Sequence, residues 1–356
     1  MMKVDLLKEL TETNGAPGFE RAIREIMKRE IGQTGASLVT DNLGSVFGEK
    51  KGSMNEGPKI LLAGHMDEVG FMVSEITQDG YLRFVPLGGW WSQVLLAQRV
   101  HVQTKNKTFT GVVGSKAPHI LTMDERNRVY PMKEMFIDIG ANDKDQVKEW
   151  GIKVGDPILP ICPFELMPNE DTILAKALDN RAGCYTAIKV LQQLQSIDHP
   201  NTVYCGATVQ EEVGLRGAMT APAIMEPDVA IALDVGVAED GPGGNQNKAK
   251  LGKGPLLTFL DSSMIPHTGF RDLIIEVAEK NNIPYQVDVM LGGGTDAGKF
   301  HLFKKGIPSL VVGVAARYIH SHTSMVSKSD LENSAKLLVE LLKVLDKEKL
   351  QSLLDY

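Results

Sequence analysis

With 356 residues, 43% hydrophobic and 23% charged, the chain is long enough for a large core and for two domains rather than one. A net charge of −7, and no basic stripe interleaved with aromatics, argue against nucleic acid as a partner. No apolar run approaches the ~18 residues of a membrane span, the charged start lacks a signal-peptide core, and three scattered cysteines suit a reducing compartment, so a cytoplasmic protein away from membranes is expected.

Residues 3–13 place Val4, Leu6, Leu7 and Leu10 on one helical face, and a second amphipathic helix ends near Ile31 after the break at Asn14–Gly18. The apolar run 59–63 reads as a buried strand leading into Gly64-His-Met-Asp-Glu-Val-Gly70. From about Gly70 to Pro163 short strands follow one another (71–76, 81–86, 100–104 and 109–114), with one helix near 143–150 and a polar loop of no clear periodicity at 122–129. That texture predicts a small β-barrel or sandwich inserted into a larger unit. Afterwards strands at 172–176, 202–209, 229–233, 285–290 and 309–314 alternate with helices at 180–195, 214–225, 269–281 and 296–305, and a last helix covers about 330–345. This is the pattern of a doubly wound α/β domain.

Ligands of open α/β sheets bind beyond the carboxyl ends of the strands. His65 follows the first such strand and Asp179 follows 172–176; Glu211 and Glu212 follow 202–209, Asp234 ends the fourth, and His320 lies past the last. Adjacent carboxylates repel each other unless a cation lies between or beside them. Two histidines with three or four acids are what a dinuclear zinc or cobalt site requires. Singly these residues have other uses: Asp179 would cap the helix starting at Asn180, and Asp67 would cap a turn. In an extended His65-Met-Asp67 segment, Asp67 could instead bond the far nitrogen of His65 and fix its tautomer.

Six segments carry a resemblance across the whole chain, in order: Gly64–Gly70, Ala177-Leu-Asp-Asn-Arg-Ala-Gly183, Val209-Gln-Glu-Glu-Val-Gly-Leu-Arg-Gly217, Ala232-Leu-Asp-Val-Gly236, Gly292-Gly-Gly-Thr-Asp-Ala297 and Ala316-Arg-Tyr-Ile-His-Ser-His322. Together they resemble the tetrahedral aminopeptidases, metallopeptidase family M42, which include the bacterial glutamyl aminopeptidases. The resemblance implies a phosphorylase/hydrolase-like α/β catalytic domain, here 1–68 and 165–356, interrupted by a small β-barrel dimerisation domain, here 69–164. It implies two divalent ions, zinc or cobalt, bridged by Asp179, with His65 and Asp234 completing one site and Glu212 and His320 the other. Glu211 would be the general base, with Asp67 beside it in the catalytic set. Substrates would be peptides with free amino termini, and dimers would assemble into a tetrahedral homododecamer.

Acidic amino-terminal residues are the expected substrates, with leucyl or broad specificity as the alternative and a glucanase-like glycoside hydrolase, using Glu211 and Asp234, as a more distant one. An acidic preference needs a cation, and Arg317 stands nearest to His320 in sequence, with Lys253 and Arg271 as further candidates. Gly293, Gly294, Thr295 and Asp296 are expected to shape the substrate pocket, or else to form a capped glycine turn. The run Gly293–Phe300 nearly spells a phosphate loop, but Phe300 replaces the hydroxyl that would hold magnesium and Asp296 repels phosphate. His119, in the insert, is a candidate to reach a neighbouring subunit's site, and the adjacent Trp90 and Trp91 suit packing or an interface.

Overall fold

The Thr202–Thr208 strand lies parallel to Lys59–His65, with Thr208 opposite His65. Lys59–His65 pairs in turn with Val229–Val237, and that strand with Ser309–Arg317, again parallel, with Asp234 opposite Gly313. The strands Ser324–Ser327 and Thr172–Ala175 continue the sheet by two antiparallel steps, which restore the original direction at Thr172–Ala175. Five strands therefore present their carboxyl ends along one edge, and the chain leaves that edge at His65, Lys176, Val209, Val237 and Arg317, with Asp234 three residues inside its strand rather than at its end. This computed structural model describes residues 4–245 and 248–354.

The parallel strands read as continuous apolar runs because both faces are covered. Ile60, Leu62, Ile231, Leu233 and Val312 pack on one face against the helices Leu178–Gln193 and Lys328–Val344. Leu61, Ala63, Ala230, Ala232 and Val311 pack on the other against Arg216–Met225 and the turn at Ala297–Phe300. The helix Leu178–Gln193 is buried along most of its length, matching its mixed rather than amphipathic pattern. Among the described residues, no helix is long and apolar enough to cross a membrane.

A second sheet closes on itself as a six-stranded antiparallel barrel, in the order Gly70–Ile76, Leu82–Leu87, Phe136–Asp138, Thr108–Gly114, Arg99–Gln103, Pro157–Pro160. It has its own core, including Phe71, Phe84, Val100, Val102, Ile137 and Ile158. Trp90 packs on the barrel, stacked on Phe71 at 4.6 Å and donating its indole N–H to the Gly70 carbonyl.

Several elements differ from the sequence expectation. The expected helix 296–305 is a single turn, Ala297–Phe300, cut short where Lys304 takes φ +52° and Gly306 φ +90°. Residues 122–129 contain a short helix, Met123–Asn127, started by reciprocal hydrogen bonds between Thr122 and Glu125. Strands at Ser37–Thr40, Val46–Lys50, Leu256–Leu260 and Ser324–Ser327, and a helix at Lys347–Leu354, extend the domain beyond the expected elements.

Candidate functional site

His65 ends its strand almost fully buried. Its Nδ1 lies 3.1 Å from the main-chain carbonyl of Asp67, so Nδ1 carries the proton and Nε2 turns its lone pair inward. That Nε2 is 3.2 Å from Asp179 Oδ1, 3.8 Å from Glu211 Oε2 and 3.9 Å from Asp234 Oδ1. The other oxygen of Asp179 is 3.5 Å from His320 Nε2, which is also 3.6 Å from Glu212 Oε2. His320 Nδ1 donates to the Gly89 carbonyl at 2.8 Å, leaving this second Nε2 free to accept as well. Asp179 thus turns one oxygen to each histidine. It does so from backbone angles of φ −84°, ψ 101°, outside helical geometry at the start of its helix. The cap role open to it in sequence gives way to this inward placement.

Three groups, His65–Asp179–Asp234, His65–Glu211–Glu212 and Asp179–Glu212–His320, each bring their donor atoms within 4.8 Å of one another. Burial and then the neighbouring Asp179 push Glu212 up to about 8, and Asp234 rises to about 8 for the same reasons although His65 opposes it. Burial also carries Glu211 well above the usual carboxylate range, reinforced by Asp234 and Asp296 against the pull of His65. Burial works against the charge on Asp179, yet hydrogen bonds from His320 and His65 hold it below that range. His320 is raised to about 9, chiefly by Asp179, and His65 is also raised, because Glu211, Asp179 and Asp67 outweigh its burial. Acids and imidazoles this close favour positive charge among them. Glu212 Oε1 is buried with no hydrogen-bond partner, a lone pair open to a cation.

Asp67 does more than face the far nitrogen of His65. Its fully buried carboxylate accepts from the backbone N–H groups of Glu211 and Glu212, both at 3.0 Å, while its nearer oxygen stays 3.5 Å from His65 Nδ1. One side chain therefore sets the posture of both glutamates. Gly88 and Gly89, unassigned in the sequence reading, also belong to the site. A Cβ on Gly88 would sit 3.1 Å from Glu212 Oε2, and one on Gly89 would sit 3.1 Å from His320 Nδ1.

A cleft of about 500 Å³ opens beside the cluster, lined partly by Gly293, Gly294 and Thr295, as expected. Asp296 is a correction: it is buried behind the wall, where one carboxylate oxygen accepts from the Thr208 hydroxyl and the other has no partner. Burial raises it to about 7. Arg317 is a second correction. It grips Asp240 with two bonds of 2.6 Å and does not line the cleft; between it and the cluster the backbone is left-handed at Tyr318 and at His320 itself. Arg271 pairs with Asp272, and Lys253 is exposed away from the cleft. His119 sits exposed on the turn Pro118–Ile120, outside the cluster.

Sequence reasoning missed a buried ion triad beneath the site. Glu68 holds Lys176 Nζ at 2.6 and 2.7 Å and Arg181 at 3.3 Å, while Arg181 also donates to the carbonyls of Met66, Leu10 and Thr13. All three charges are buried, and they tie the His65–Glu68 segment to the Lys176–Arg181 segment. The available signal was three charges, each within three residues of a candidate ligand, in otherwise apolar surroundings.

A mixed α/β sheet covered by helices on both faces, a separate closed barrel, and a converging set of acids and histidines at the strand ends define the class. Residues 44–337 match the family model described as M42 glutamyl aminopeptidase, and residues 3–27 match a second model, AMPT. The glutamyl aminopeptidase of Lactococcus lactis subsp. cremoris is 36% identical, over 99% of this chain and 99% of its own. The crystal structure of a TET aminopeptidase from a marine sediment archaeon of the Thaumarchaeota superposes with a TM-score of 0.95 at 46% identity, covering 98% of each chain. The Pyrococcus horikoshii TET1 peptidase, which can assemble into a tetrahedron or a large octahedral shell, gives 0.86 at 32% identity over 96% of this chain and 99% of its own. The chain belongs to the M42 aminopeptidase family, and it is a peptidase.

Proposed function

We propose that the cluster holds two divalent ions, zinc or cobalt, and that the protein removes amino-terminal residues from peptides. The observation carrying this reading is the placement of Asp179, one oxygen toward His65 and the other toward His320. Asp179 would be shared, with His65 and Asp234 on one ion and Glu212 and His320 on the other. Such ions supply Lewis acidity, drawing the pKa of a water towards ~7, polarising a carbonyl and anchoring a free α-amino group.

The protein's own groups do the rest. The carbonyls of Asp67 and Gly89 hold each histidine in the tautomer whose Nε2 faces inward. Asp67 positions Glu211 through its backbone. Glu211 lines the cleft and, as general base, takes a proton from the attacking water and returns it to the leaving amine. A glycoside hydrolase would use Glu211 and Asp234 but would leave His65, Asp179 and His320 without a task.

Residues 1–68 and 165–356 form the catalytic domain in this account, and 69–164 the insert that pairs subunits. Likeness to the P. horikoshii shell supports a homo-oligomer built from dimers, with twelve subunits as the expected shell. Exposed Trp91, Ile120 and Met123 on the insert supply apolar surface for it. Three free cysteines support a cytoplasmic location. Exchanging Glu211→Gln tests the mechanism. The variant should bind metal as the wild type does and lose turnover by several orders of magnitude; a metal-loaded Glu211→Gln enzyme with normal kcat would remove Glu211 from the base role.

A further inference from the structure

The cleft beside the donor cluster has a wall of definite chemistry. Away from the cluster it is formed by Leu215, Val235, Val237, Met290 and Ile319, together with the Gly292–Thr295 backbone and Ser262 and Ser263. Among the described residues, neither a lysine nor an arginine lines it. Arg317 is committed to Asp240. Lys248, whose Nζ reaches the carbonyl of Val289 next to Met290, is held by Asp288 at 3.0 Å.

The hydroxyls of the wall are also engaged. Ser262 donates to the Gly293 carbonyl, Ser263 donates to Asp261 at 2.7 Å, and Thr295 donates to the same carboxylate at 3.1 Å. A carboxylate directed at this wall, away from the cluster, would meet no lysine, no arginine and no free side-chain hydroxyl donor. Charge placed in an apolar cleft without a partner is strongly disfavoured. An ammonium fares little better. The acids in the lining are those of the cluster, while Asp261, behind it, is already satisfied by Ser263, Met264 and Thr295.

We infer that the Leu215–Val235–Val237–Met290–Ile319 wall selects a neutral aliphatic amino-terminal residue, leucine or methionine, over glutamate and over lysine. This rests on the aminopeptidase reading above, in which the cluster's acids are occupied by ions and the cleft receives the first side chain. An apolar pocket disfavours even an unpaired hydroxyl by about 100-fold in kcat/KM, and an unpaired charge by at least as much. Leucyl substrates should therefore exceed glutamyl and lysyl ones by about 100-fold.

The test uses the full-length assembled protein, loaded with cobalt or zinc, on leucyl-, methionyl-, glutamyl- and lysyl-p-nitroanilides. Leucyl or methionyl hydrolysis leading by about 100-fold supports the inference. Glutamyl or lysyl hydrolysis equal to or above leucyl overturns the preference while leaving the aminopeptidase intact, and hydrolysis of none of the four overturns both. Met290→Arg should raise the glutamyl-to-leucyl ratio at least about tenfold by supplying the missing cation. Val237→Arg, at a half-exposed position of the same wall, should do the same if the first variant does not fold. An unchanged ratio in a folded variant shows that this wall does not read the side chain.

Discussion

Replacing Asp67 with asparagine changes almost no volume but removes one of the two acceptor oxygens that hold the glutamate pair. In the native protein each oxygen takes one backbone N–H, from Glu211 and from Glu212, at 3.0 Å. An asparagine carbonyl can keep one of these bonds; its amide then points N–H at N–H toward the other. Hydrogen bonds to a charged group contribute about 1.5–3 kcal/mol each, and the site is fully buried, so water cannot substitute. Expressed as metal affinity at about 1.4 kcal/mol per factor of ten, the loss is roughly 10- to 100-fold. That is the range expected when a group orienting metal ligands is removed. Competition titration against a chromophoric chelator reads it, with circular dichroism to show that the variant is folded. A folded Asp67→Asn protein that binds zinc as tightly as the wild type would refute the claim that Asp67 sets the posture of the pair.

Three other predictions follow from the same geometry. In metal-free protein, Glu212 and Asp234 titrate near 8 in the fold against 4.5 and 3.8 in the free groups, so the native state holds extra protons between those values and stability falls as pH rises through the window. His320, raised to about 9, adds stability that is full below about 6.5 and is lost as pH climbs through 9. Metal-free protein should therefore melt at a lower temperature at pH 9 than at pH 5.5, and a melting temperature that rises across that range would contradict the electrostatic account. Glu68→Gln strands two buried cations, Lys176 and Arg181, and should lower unfolding free energy by about 3–5 kcal/mol in urea titration; a change below about 1 kcal/mol would show the triad to be incidental. Gly88→Ala combines a φ of +87° with a Cβ only 2.7 Å from Val69 Cγ1 and 3.1 Å from Glu212 Oε2, so elemental analysis should show metal content falling towards one ion per subunit, whereas an unaltered content would clear Gly88.

The candidate ligands were legible in sequence because buried parallel strands are apolar throughout, so a histidine or acid at a strand end stands out. His65 and Asp234 needed only that contrast. Asp67 and Arg317 show what such reading lacks. The two-residue spacing of His65 and Asp67 suggested a shared face, but the main-chain carbonyl of Asp67 takes the imidazole and its carboxylate bonds two amides 144 and 145 residues away. Arg317 is three residues from His320, yet its side chain grips Asp240, and the backbone is left-handed at Tyr318 and at His320 itself. Tertiary partners also account for the unexpected strands. Val46–Lys50 is short and carries two charged residues, and it is held by pairing with both Ser37–Thr40 and Thr202–Thr208. Gly88 and Gly89 gave no signal of their own, since the reason for having no side chain there lies in Glu212 and His320.

Peptide hydrolysis at this site requires that the strand-end cluster bind two divalent ions. Protein stripped with a chelator and titrated with cobalt or zinc should take up two ions per subunit, with hydrolysis of amino-acyl p-nitroanilides appearing as the ions are bound. Full hydrolysis by the stripped protein, or loading of both metals without any gain in activity, would contradict it.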